Sequence, residues 1–147
     1  MSLQNWLSNG WLVEQRTNAR EISDLLSVAE RDIVDSQTPG LSPDWRLNIA
    51  YNAVLQAATA ALAAAGYRAS REAHHYRVIQ SLAYTIKADQ GLIRQLDAFR
   101  KKRNVGEYEI VGAVSDLEAG EMVSLAMKLL SDVRVWLRDH YPEFLSE

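Results

Sequence analysis

Apolar residues recur along this chain at three- and four-residue intervals, the spacing of one helix face, in one segment after another. From about Thr17 to Ser36, Ile22, Leu25, Leu26, Ala29 and Ile33 share a face, with Thr17 as N-cap and Pro39-Gly40 as stop. Ser42-Pro43-Asp44 then combines a capping hydroxyl, a proline suited to the first helical position and an acid near the positive end of the dipole. The helix opened there is expected to run to about Ala65, burying Leu47, Ala50, Tyr51, Val54, Ala58, Ala61 and Leu62, with Gly66 as C-terminal cap. Its alanines let a neighbouring helix approach closely. A third helix begins at Ser70 and carries Tyr76, Ile79, Leu82, Ala83 and Ile86, and Asp89-Gln90-Gly91 marks a break before a helical piece from about Leu92 to Arg103. Ser115 and Glu118 form a capping box opening the last helix, which continues through Met122, Leu125, Ala126, Leu129, Val133, Trp136 and Leu137 to His140. A short apolar element with Trp6, Leu7, Trp11 and Leu12 precedes them all. Strand alternation is missing everywhere. The pattern predicts an all-α fold, an antiparallel bundle of four main helices with additional short helices, as a single domain over residues 1–147.

A chain of 147 residues can bury a stable core without staples. The absence of cysteine removes thiolate chemistry and iron-sulfur clusters, and three histidines remain as soft ligands. MSLQNWLSNG has no signal-peptide pattern, and AATAALAAAG is too short and alanine-rich to cross a bilayer, so the chain reads as a soluble cytoplasmic protein with no membrane partner. A formal charge of -3 argues against coating nucleic acid through net charge. Any phosphate contact has to be local.

One segment could supply it. In FRKKRNVGEYEI, from Phe99 to Ile110, Arg100, Lys101, Lys102 and Arg103 lie in what reads as the last turn of a helix, where the dipole favours cations. A helix cap on a solvated face accounts for such a run by itself. The residues that follow add to it: a planar guanidinium at Arg103, an amide at Asn104 and a phenol at Tyr108 are groups that suit a nucleotide or RNA.

The order of elements, the phrase GLSPDWRLNIAYNAVLQAATAALAAAGYR from Gly40 to Arg68, the following AHHYRVIQSL, and RNVGEYE resemble HEPN domains (higher eukaryotes and prokaryotes nucleotide-binding), over nearly the whole chain. The resemblance implies a HEPN-like bundle of four or more helices, often dimeric, with its motif near the dimer cleft. Many HEPN domains are metal-independent RNases carrying an Arg and, a few residues further on, a His. Arg103 matches that arginine, Asn104 the polar residue that often follows it, and Tyr108 stands where the nuclease form has His. Cleavage through the 2′-hydroxyl needs a group that exchanges a proton near neutrality; imidazole at about 6.5 suits that task and a phenol at about 10 does not.

His74 and His75 occupy adjacent helical positions, which point about 100° apart, so they cannot share a metal. They read as one partly buried and one surface residue; the alternative is that one reaches the Arg103 cleft from a neighbouring helix and supplies the missing acid or base. His140 reads as a partner for the carbonyls ending its helix. Glu107 and Glu109 flank Tyr108, but no spaced acidic set suits a two-metal enzyme. Neither a metal nor a cofactor is implied.

Three readings follow. The first is a catalytically degenerate HEPN-like module binding RNA or a nucleotide through Arg100, Lys102, Arg103, Asn104 and Tyr108, supported by His74, His75 and Glu107. The resemblance further implies a homodimer and a separate nucleotidyltransferase partner in a toxin-antitoxin or defence-type system. The second is a metal-independent endoribonuclease, with Arg103 at the scissile phosphate and Tyr108, or a histidine of the third helix, moving the proton. The third is a purely structural dimerisation protein.

Overall fold

The computed structural model describes residues 1–108 and 114–145, with backbone only for 104–108. In chain order its elements are α1 (Leu3–Ser8), β1 (Leu12–Glu14), α2 (Ala19–Asp35), α3 (Pro43–Ala64), β2 (Tyr67–Ala69), α4 (His74–Ser81), α5 (Gln90–Tyr108), α6 (Asp116–His140) and a 3-10 turn at Pro142–Phe144. The four long helices α2, α3, α5 and α6 form a bundle, and α1 and α4 pack on it as short additional helices.

Helix α3 is the centre of the bundle. It is apolar around most of its circumference, as a helix enclosed by others must be. Ala50, Ala53, Ala57, Ala58, Ala60 and Ala61 are all buried, and these small side chains let α2 and α6 pack directly against its backbone. By length and composition α3 could cross a bilayer, but 72% of its apolar window is buried inside the bundle. Arg46, near its start, reaches the Ser36 carbonyl after the end of α2 at 3.4 Å and Asp116 at the start of α6 at 4.0 Å. Helices α3 and α6 therefore begin at one end of the bundle, and α2 ends there.

Start signals fall where side-chain chemistry puts them. The Ser42 hydroxyl accepts from the Trp45 N–H with Pro43 opening α3, and Ser115 and Glu118 make the reciprocal capping box of α6. Four boundaries differ from the sequence expectation; one is the end of α4, which lies at Ser81 although the apolar pattern carries it through Ile86. Asn18, not Thr17, caps α2, accepting from the Glu21 N–H at 2.8 Å, while the Thr17 hydroxyl donates to the Glu21 carboxylate. Helix α4 starts at His74 rather than Ser70, because Ala73 takes a left-handed conformation (φ 54°). Helix α5 continues to Tyr108, past the expected end at Arg103.

The expectation of no strand is also corrected. Strands β1 and β2 pair antiparallel, Leu12 opposite Ala69 and Glu14 opposite Tyr67. Each has only three residues, too few for alternation to show in sequence. Their pairing fastens the N-terminal element to the segment that leads into α4, and Trp6 is buried in the protein's own core.

Candidate functional site

Because α5 runs on through Tyr108, the basic residues sit inside the helix rather than in its last turn, and the dipole does not account for them. Their partners divide them. Lys102 faces away toward α6, where its ammonium lies 3.4 Å from Glu118, and Lys101 lies 3.7 Å from Asp97. Arg100 and Arg103, one turn apart, share a face. The Arg100 Nε donates to Asp97 at 2.7 Å, which fixes the stem of the guanidinium. The Arg103 guanidinium carbon lies 5.2 Å from the centre of the Tyr51 ring.

Tyr51 comes from the middle of α3 and is 0% exposed, yet its hydroxyl has no hydrogen-bond partner among the described residues. Buried hydroxyls without partners are uncommon, since each forfeits its bonds to water. Burial pushes the phenol up to about 12, against the opposing pull of Arg103 and Arg100 and with help from Asp97. One turn earlier on α3, the Oδ1 of Asn48 is likewise buried and unpartnered among the described residues.

Against Tyr51 from the other side stands His75, at the N-terminal end of α4, with ring centres 6.0 Å apart. Its pKa is lowered, first by burial and then by the charges of Arg103, His74 and Arg100. Burial and the neighbouring cations therefore favour the neutral imidazole over the charged one. His74 turns outward, and its Nδ1 bonds the Ala69 carbonyl at 3.2 Å and the Ser70 carbonyl at 3.3 Å. A hollow of about 500 Å³ opens between Ala73, His74, His75, Tyr76 and Arg100.

Of the residues singled out in the sequence, Arg100, Arg103 and His75 come together, and His74 lines the edge of the same hollow. Lys102 stands apart at the start of α6. The side chains of Asn104, Glu107 and Tyr108 lie outside the described residues. Tyr51 was legible only as a core residue. The signal in it was a phenol on an otherwise alanine- and leucine-rich face, where the hydroxyl needs a partner.

Arg100 and His75 line the hollow, while Arg103 and the buried Tyr51 belong to the same cluster without lining it. That set matches a phosphate, which takes charge and donors from arginine and tyrosine. A larger hollow, about 910 Å³, lies between Lys87–Leu92 and the C-terminal half of α6. Three of its charged groups are engaged within the protein: Lys128 pairs with Asp132 at 2.8 Å and Asp89 accepts from the Leu92 N–H at 2.9 Å. Among the described residues no three His, Asp or Glu side chains gather as a metal site requires. No protein-family model, no curated protein and no solved structure matches this chain.

Proposed function

We propose that the protein is a HEPN-like module that binds RNA or a nucleotide through a phosphate held at Arg100 and Arg103, with Tyr51 as hydrogen-bond donor and His75 beside it. The observation that carries this reading is the buried, unpartnered hydroxyl of Tyr51 under the Arg103 guanidinium. A stack of cation on ring holds the guanidinium flat. The resemblance supplies the context, a homodimer working with a separate nucleotidyltransferase in a toxin-antitoxin or defence-type system. Exposed Val34, Met127, Val135 and Leu145 around a groove between α2 and α6 give a second copy an apolar surface to meet.

Binding of inorganic phosphate, a mononucleotide and a short RNA, measured for the native protein and Arg103→Ala, tests this. Loss of one charge-assisted contact is expected to weaken each ligand about 10- to 100-fold. Equal affinities in the two proteins, with the fold intact by circular dichroism, would refute it.

The position of His75, beside Tyr51 and on the hollow with Arg100, favours one further reading, a metal-independent endoribonuclease. His75 would take the 2′-hydroxyl proton, O2′ would displace the 5′-oxygen at phosphorus, and the departing oxygen would collect a proton from solvent. RNA cleaved in chelator to 2′,3′-cyclic phosphate ends, and left intact by His75→Gln, would establish it. Binding without such products leaves the first reading standing alone.

A further inference from the structure

The hollow does not end the cationic surface. Tyr76, the third residue of α4, is 36% exposed and has two guanidinium groups near its ring, those of Arg100 and Arg77, each with its central carbon 5.5 Å from the ring centre. Arg77 is itself held flat: its guanidinium carbon lies 3.7 Å from the centre of the Trp11 ring and 5.7 Å from that of Trp6. Trp11 is anchored in turn, its carbonyl accepting from the Ser70 N–H at 3.0 Å while the Ser70 hydroxyl bonds the Gly10 carbonyl at 2.8 Å. The pairing of β1 with β2 thus has a consequence on the surface, because it brings a tryptophan from the N-terminal element under an arginine of α4. Among the described residues Arg77 has no carboxylate partner, in contrast to Arg100, Lys101 and Lys102.

A partly exposed ring with two guanidinium groups close to it offers a stacking surface beside two cations that can hold phosphate. We propose that the ligand is single-stranded RNA, and that the strip from the hollow to Trp11 takes one nucleotide step of it. One phosphate sits in the hollow at Arg100 and Arg103, a base stacks on Tyr76, and the phosphate on the other side of that base is held by Arg77. The proposal rests on the phosphate reading of the hollow and narrows it. A mononucleotide or inorganic phosphate fills only the hollow. A duplex keeps its bases in the helical stack and offers no face to Tyr76. Base stacking on an aromatic side chain is tolerant of sequence, so the strip recognises an unpaired strand rather than a particular base.

The stack of Arg77 on Trp11 also fastens the N-terminal element, so stability alone cannot distinguish the two roles at Arg77. Tyr76 separates them, because its ring is exposed. The experiment measures affinity of the full-length protein for a 2′-O-methyl uridine oligomer, which cannot be cleaved through its 2′-oxygen, and for uridine monophosphate and an RNA duplex. The native protein is expected to prefer the oligomer to both. Tyr76→Ala is expected to weaken the oligomer by about 5- to 100-fold. Arg77→Gln should reduce the slope of log affinity against log salt for the oligomer by about 0.7, the signature of one lost phosphate contact on a single strand. Arg77→Lys, which keeps the charge and gives up the planar stack, should recover most of that slope and guards against misfolding in Arg77→Gln. An oligomer bound no more tightly than the monophosphate, or an oligomer affinity indifferent to Tyr76→Ala, overturns the proposal. If Arg103→Ala weakens the monophosphate while Tyr76→Ala changes nothing, the strip alone fails. If Arg103→Ala changes neither ligand, the hollow fails and the strip falls with it.

Discussion

Replacing Tyr51 by phenylalanine removes one oxygen from the centre of the bundle and keeps the ring on which the Arg103 guanidinium rests. In a protein where that hydroxyl is structural, the change destabilises. Here the hydroxyl is buried with no partner among the described residues, so its removal relieves an unsatisfied polar group. Such a group costs about 1–3 kcal/mol, and Tyr51→Phe is expected to stabilise the ligand-free protein by roughly 1–2 kcal/mol. For a domain of this length that raises Tm by roughly 3–6 °C. The same substitution removes a donor to phosphate and is expected to weaken binding about tenfold or more. Alkaline titration adds an independent readout. The folded phenol titrates at about 12, so from its ordinary pKa of 10 up to that point the unfolded chain releases a proton that the folded chain keeps. Stability therefore falls as pH rises through this window, by roughly 3 kcal/mol from Tyr51 alone, and Tyr51→Phe removes that part of the fall. Denaturant unfolding of both proteins at neutral pH and at pH values above about 10, with phosphate binding alongside, measures all three effects. Destabilisation by Tyr51→Phe at neutral pH would refute the reasoning. Stabilisation without any change in binding would show that the hydroxyl does not face the ligand.

Three further substitutions test other parts of the molecule. His75 has a lowered pKa in the fold, so as pH falls below its ordinary value of 6.5 the unfolded chain takes the proton first and stability declines; His75→Gln should flatten thermal melts across that acid range. Ser115→Ala removes half of the capping box that opens α6 and is expected to cost about 1 kcal/mol in denaturant unfolding. Asn52→Ala takes away the amide that donates to the buried Asp32 at 2.7 Å. Asp32 keeps Arg31, so the expected loss is about 1.5–3 kcal/mol, the range for a hydrogen bond to a charged group, and a melting curve unchanged by Asn52→Ala would contradict it.

Local chemistry made part of this fold legible before any coordinates. The serine at 42 and the capping box at 115 and 118 are short-range devices, and each opens a helix where the sequence puts it. Boundaries set by backbone conformation were not legible in the same way. Nothing in the residue type of Ala73 announces a left-handed φ, and without it the start of α4 is misplaced by a turn. That shift decides which histidine turns inward, since adjacent positions on a helix diverge by about 100°. In sequence the cations of α5 read as a helix end, but the helix continues through Val105 and Gly106 to Tyr108. The contact of Arg103 with Tyr51 depends on the packing of α5 against α3, and no periodicity within either segment contains it. The strand pair joins residues far apart in the chain, so its partners cannot be read from neighbours.

The candidate site is built on the most deeply buried helix of the bundle. Tyr51 belongs to the fully enclosed helix, and the two groups that close over it come from α4 and α5, which pack on α3 and on each other. A loop could hold the same residue types without holding their geometry. The environment also drives the two titratable rings apart, the phenol upward through burial and the imidazole downward through burial and neighbouring arginines. Burial thus favours the protonated phenol and the neutral imidazole. A phosphate entering the hollow meets fixed positive charge from arginine alone. Its affinity should then depend on the ligand's own ionisation rather than on the protein's, which is the behaviour of a site arranged to bind over a wide range of pH. An apolar residue at position 51 would pack the core at lower cost; a buried phenol that breaks the local rule for polar groups marks the place where folding and binding make opposite demands.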